Sequence, residues 1–446
     1  MKKYKIDMLN GSLWDKVLMY ALPLAVTGIF QQLFHAADIA VVGRFRGPEA
    51  MASVGSIAPL TNILINIFLG ISLGTNVVLA NAIGSGDKLR AKHCVHTSLI
   101  VAVAGGILLT IFSEFVSSFA IEMMNVPPEC FKQSLLYLRI YLIGMPVLLL
   151  YNFEAAIFRA VGDTQTPFWA LVISGIANLV LNVLLVAGAN MSVDGVAIAT
   201  VVSNVISSLY LLHKLAETDN QTQVYFDQFK FNKPVFIRIL RIGVPAGIQG
   251  MMFSISNLVI QSSINTLGSS TMAGSAAALN IEIFAFFVLS SFGQTCTSFV
   301  GQNKGAKKYD RCRKILYICL TYSYIFTGIM TFFMLYFYKE LLGIFCTAES
   351  VIEIGRIRLM WLGFAFIFSV VQDVLSGYLR GFGLSLGPAL LSLICVCGVR
   401  LLWIFTAFKA RPNFTTIMES YPLSLAITAV AMVILCCFQS RQGKLK

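Results

Sequence analysis

The chain has 446 residues, of which 57% are hydrophobic and 12% charged, and its formal net charge is +12. A water-soluble domain holds about 25% charged residues. This chain has too few to cover a water-facing surface, and its mean hydropathy of +0.78 agrees with a polytopic membrane protein. The basic residues fall between apolar runs, so topology accounts for the charge and no nucleic-acid partner is expected.

About twelve apolar runs follow one another, each long enough for roughly 20 residues of membrane-crossing helix. The opening stretch MKKYKIDMLNGSLWDK is basic but leads into a full-length span, so a retained first helix is expected rather than a cleaved leader. That span, 16–42, contains Pro23, His35 and Asp38. A carboxylate at bilayer depth costs ~2.5–3.5 kcal/mol even on insertion scales, so intramembrane acids are functional candidates. Spans at 52–80, 95–120, 135–158, 167–189 and 194–213 complete the first half, and Glu154 lies in the fourth. The polar stretch from Glu217 to Pro234 reads as a linker. Spans at 238–265, 273–300, 315–337, 355–379, 387–408 and 421–438 make the second half, with Glu282 in the eighth and Asp373 in the tenth. The expected domains are therefore a lobe over 1–216, a linker over 217–234 and a lobe over 235–446.

An even number of spans puts both termini on one side. The Lys and Arg residues concentrate at the termini and in loops such as 88–92 and 304–314, which makes that side cytoplasmic. The ten cysteines form no CxxC pair and have no His at zinc spacing, so they are read as thiols and no metal or cofactor is expected. The four histidines join no nucleophile motif, and nothing else suggests an enzyme.

The halves repeat. IGSGDKLRAK (83–92) matches KGAKKYDRCR (304–313), and FRAVGDTQTP (158–167) matches LRGFGLSLGP (379–388). The paired positions are 221 residues apart (305 − 84), while Pro23 and Pro245 fall one residue off that spacing. Six spans per repeat insert in the same orientation, as parallel transporter repeats do. The expected fold is an all-α membrane protein of twelve helices in two six-helix bundles related by a parallel repeat, suited to rocking about a central cavity.

These segments, with ALPLAVTGIFQQLFHAADIAVVG, YLRIYLIGMP, NLVLNVLL, GVAIATVVSN and SGYLRGFG, resemble the multidrug and toxic compound extrusion (MATE) transporters over about Trp14 to Phe438. The chain looks closest to the bacterial, DNA-damage-inducible type. The resemblance implies a monomeric antiporter of the bacterial cytoplasmic membrane. It would expel cationic or amphipathic small molecules in exchange for protons or sodium ions. It also implies that Asp38 works with Asn178, Asn182 and Thr200. Many members carry an aspartate where this chain has Asn182, which would leave Asp38 as the main titrating group.

Gln31 lies seven residues before Asp38 on the same helical face. Pro23 frees a carbonyl and makes a hinge candidate. Glu154, Glu282 and Asp373, with Met252, Phe253 and Phe287, are expected to line a cation-attracting cavity, since aromatic faces hold organic cations and methionine adapts to many shapes. Proton coupling is the leading expectation. Sodium coupling at the same four residues and flipping of a lipid-linked substrate are the alternatives.

Overall fold

The computed structural model describes residues 5–123, 127–217, 230–345 and 347–445, and among them there is helix but no strand. Eleven helices are each long and apolar enough to cross a membrane, and one bent pair makes a twelfth crossing. They are α1 (Trp14–Arg46), α2 (Pro48–Gly84), α3 (Lys88–Met123), the pair α4 (Pro128–Ile143) and α5 (Met145–Val161), α6 (Gln165–Asn182), α7 (Val193–Ala216), α8 (Lys233–Asn265), α9 (Ser269–Gly305), α10 (Tyr309–Tyr336), the short α11 (Tyr338–Gly343), α12 (Glu349–Gly381), α13 (Leu386–Leu391), α14 (Val399–Trp403) and α15 (Phe414–Arg441). A π-helical segment, Val183–Gly188, extends α6. Two more, Ser392–Gly398 and Ile404–Phe408, join α13 and α14 into one crossing.

The fourth crossing bends by 49°. Its hinge reads Gly144-Met145-Pro146, and Pro146 has no N–H to offer the carbonyl of Leu142. That carbonyl is taken by Thr110 Oγ1 at 2.6 Å, so the acceptor that the proline frees is satisfied in the apolar interior. A side chain at Gly106 would come within 2.3 Å of Pro146 Cα. Only glycine lets α3 approach the bend this closely.

The chain divides into two compact units, Met1–Ile6 with Val26–Val244, and Asp7–Ala25 with Pro245–Lys446. The division expected at 216 and 235 differs from this one. Both α1 and α8 contribute to both units, and each changes unit beside or at a proline, Pro23 and Pro245. Of the linker expected over 217–234, residues 218–229 lie outside the described residues.

In the first unit, one core gathers Val77, Leu79, Val95, Phe153, Phe158 and Ile239, and a second gathers Val54, Ile57, Leu138, Met145 and Val196. In the second unit, α9 and α12 lie in closest register. A Cβ on Gly377 would sit 2.2 Å from the carbonyl oxygen of Gly293. Membrane helices associate through such small-residue contacts because lipid supplies no hydrophobic drive between them. The second unit also holds the segment before α1. Arg311 donates to the carbonyls of Met8, Asn10 and Gly11, and Lys308 Nζ donates to Leu9 O at 2.9 Å. These loop cations, which topology alone explains in the sequence, fasten the chain's start.

Candidate functional site

Asp38 lies in the part of α1 that belongs to the first unit and is 7% exposed. Asn182 Nδ2 donates to its Oδ1 at 2.5 Å and to Asn178 Oδ1 at 3.2 Å. Thr200 Oγ1 reaches Asp38 Oδ2 at 3.5 Å and also donates to Val196 O at 2.9 Å, its i−4 carbonyl. Four residues from three helices therefore meet around one carboxylate. Asn178 and Asn182 reach it together because they stand one turn apart on α6. The rings of Tyr137 and Tyr141 stack on α4 with centroids 6.1 Å apart.

Local structure holds these helices in place. The π segment begins directly after Asn182. Such segments widen a helix turn and recur at functional sites. Arg46, at the end of α1, donates to Val186 O in this segment and to Asn190 Oδ1 at 2.9 Å. Its charge thus ties the end of α1 to the end of the fifth crossing.

Among the described residues no Lys, Arg or His lies within ion-pair distance of Asp38. Its hydrogen-bond partners are neutral. Asn182 Oδ1, fully buried, has no hydrogen-bond donor among the described residues. The site therefore offers an uncompensated carboxylate and a spare oxygen, an arrangement that can take a proton or a hard cation.

Not every residue singled out in the sequence joins this group. Gln31 is exposed and His35 half-buried, and neither bonds to Asp38. Glu154 is fully buried in the first unit, its Oε2 accepting from Ser208 at 3.0 Å, so it sits within helix packing rather than on a cavity wall. Glu282, in the second unit, is locked in a bidentate pair with Arg358 at 2.7 and 2.9 Å. A cation-attracting role expected of a free acid is not available to it. Asp373 is half-buried against Gly293, and Arg380 is turned to Gln249 Oε1 at 2.9 Å instead. Met252, Phe253 and Phe287 are half-buried in the second unit. The pairing of Glu282 with Arg358 was missed because the two are 76 residues apart on different helices. The only signal was a second intramembrane charge of opposite sign.

The comparisons with known proteins agree with this architecture. The MatE family model matches residues 23–184 and matches again over 245–406, so it begins at Pro23 in one half and at Pro245 in the other. The chain is 26% identical over 94% of its length to the probable multidrug resistance protein YoeA of Bacillus subtilis, and covers 92% of that protein. It is 24% identical over 88% of its length to the probable multidrug resistance protein NorM of Thermotoga maritima, covering 85% of it. Among solved structures, the outward-facing conformation of a multidrug resistance MATE family transporter superposes with a TM-score of 0.88 at 20% identity, covering 97% of both chains. The two family-model matches and the repeated twelve-crossing fold establish that this chain belongs to the MATE family.

Proposed function

We propose that the chain is a secondary active antiporter of the bacterial cytoplasmic membrane, with both termini cytoplasmic, acting as a monomer. It exports cationic or amphipathic small molecules in exchange for protons, and Asp38 is the coupling group. The observation that carries this reading is the buried Asp38 carboxylate, which is hydrogen-bonded only by neutral side chains. A lone membrane carboxylate without a counter-ion favours uptake of a cation. The names of the relatives in B. subtilis and T. maritima support efflux of drug-like solutes.

In this cycle Asp38 is ionised while substrate is held and takes a proton from outside. Protonation removes the acceptor charge that orders Asn182 and Thr200. The helix α1 then bends at Pro23, just before it passes from one compact unit to the other. Substrate leaves outward, the lobes rock, and the proton is released inward. One charge moved through 100 mV is worth ~2.3 kcal/mol, enough for a modest potential to bias the cycle. Sodium coupling is the second reading, favoured by the donorless Oδ1 of Asn182. With Asp38, Asn178 and Thr200 it completes an all-oxygen set. Efflux of a cationic dye from vesicles, under a proton gradient and then under a sodium gradient at fixed pH, separates the two.

A further inference from the structure

The repeat places a second polar cluster in the C-terminal half at the positions that match the Asp38 site, and its charge is inverted. Position 421 matches Thr200, 403 matches Asn182, 424 matches Ser203 and 358 matches Tyr137, all at the 221-residue spacing (421 − 200). These positions hold Tyr421, Trp403, Ser424 and Arg358, and Arg400 stands one residue after the match of Asn178. In α8 the one-residue offset marked by Pro23 and Pro245 puts Ile260 where α1 has Asp38. The acid is gone and two guanidinium groups have appeared.

Both are buried, Arg358 at 3% and Arg400 at 4% exposure. Arg358 is fully engaged, with Nε and Nη2 on Glu282 and Nη1 on Ser275 Oγ at 2.8 Å. Arg400 is not. Its Nε donates to Ser424 Oγ at 3.1 Å and its Nη1 reaches Asn257 Oδ1 at 3.4 Å. An arginine carries five N–H donors, so more than half of its capacity is unused among the described residues. Among the described residues no carboxylate lies within 4.0 Å of Arg400. Its cationic face rests on the Tyr421 ring at 4.3 Å. The cluster thus sets two guanidinium groups against one carboxylate, which Arg358 holds, and carries a net positive charge inside a membrane lobe.

A buried charge left without a counter-ion is strongly destabilising, and charges inside membrane segments mark substrate pathways. Arg400 is one side chain from the surface of the unit, because its partner Asn257 is exposed. The planar fork of a guanidinium is suited to oxyanions, which it can bind through two parallel hydrogen bonds.

We propose that Arg400, with Asn257 at its mouth and Tyr421 behind it, forms an oxyanion subsite in the second lobe for a carboxylate or phosphate group. The ion pair with Glu282 keeps Arg358 from competing for that ligand and leaves Arg400 as the free cation. The group comes either from the anionic end of an amphipathic solute or from an anionic lipid headgroup. The proposal rests on the transporter reading but not on which ion drives transport.

The test is equilibrium binding without any gradient, by titration calorimetry on the full chain in phosphatidylcholine nanodiscs. Hexyl phosphate and hexanoate are the anionic probes and hexylammonium the matched cation. Wild type is expected to bind hexyl phosphate, and Arg400→Gln to weaken that binding by about tenfold or more, the loss of one charge-assisted contact. Arg400→Lys should restore part of it. Asn257→Asp, which sets a carboxylate beside Arg400, should weaken hexyl phosphate binding and strengthen hexylammonium binding. If phosphatidylglycerol in the nanodisc competes with hexyl phosphate through Arg400, the ligand is a lipid headgroup; if it does not, the ligand is a solute. No binding to wild type, or equal affinities in wild type, Arg400→Gln and Asn257→Asp, would overturn the subsite. A failure here leaves the Asp38 scheme standing, because that scheme is read by gradient-driven efflux.

Discussion

Asn182 is the residue on which the Asp38 site turns, because it alone contacts both Asp38 and Asn178. Replacing it by alanine removes the carboxylate's shortest partner without touching the carboxylate. Efflux of a cationic dye by Asn182→Ala should fall several-fold while the protein still folds, since single interhelical hydrogen bonds in membranes average only about 0.6 kcal/mol. Thr200→Val should have a smaller effect, its hydroxyl being also committed to Val196. Glu282 makes the contrast. Glu282→Gln removes the carboxylate paired with Arg358 and leaves a buried charge unpaired, which should destabilise the second lobe by about 3–5 kcal/mol. A lowered thermal unfolding midpoint in detergent is the check. Asp38 and its three partners were legible because an acid in an apolar run is conspicuous and the family resemblance pointed to those partners. Glu154 and Glu282 were equally conspicuous as acids. Their burial against Ser208 and Arg358 depends on tertiary contacts that span 54 and 76 residues, and no local pattern records such distances.

Among the elements, α1 is the one whose behaviour decides the mechanism. It carries Pro23 twelve residues before His35 and fifteen before Asp38, and it leaves one compact unit for the other just after that proline. If bending at Pro23 is part of the cycle, Pro23→Ala should slow efflux severalfold while leaving the unfolding midpoint unchanged or raised, because the helix regains a backbone hydrogen bond. Efflux at the wild-type rate in that variant would remove the hinge from the scheme. The α9–α12 pair tests packing instead. Gly377→Val would drive a side chain into the Gly293 carbonyl, and a lower unfolding midpoint with reduced folded yield is expected. Helix positions were readable from apolar run length. The bend at Gly144–Pro146 had a readable cause that run length alone conceals. The π segments had none, since the residues of Val183–Gly188 are ordinary helix formers apart from the terminal glycine.

At the scale of the whole chain, one architecture occurs twice with different chemistry in each copy. The 221-residue spacing made the repeat legible before any coordinates, and the two family-model matches bear it out. The spacing did not reveal that the two units exchange the first parts of α1 and α8, because a linker in sequence marks where a chain crosses over rather than where packing divides. The repeat also makes the chemical asymmetry meaningful. An acid stands in the first half's polar cluster and two guanidinium groups in the second's, and the proposed oxyanion subsite rests on that contrast.

The central claim is that Asp38 alone carries the coupling charge. It is tested most directly in proteoliposomes at matched protein density, with cationic dye efflux recorded under an imposed proton gradient for wild type and Asp38→Asn. The account predicts gradient-dependent efflux in wild type and its loss in the variant, with dye binding retained. Undiminished gradient-dependent efflux by Asp38→Asn would contradict it.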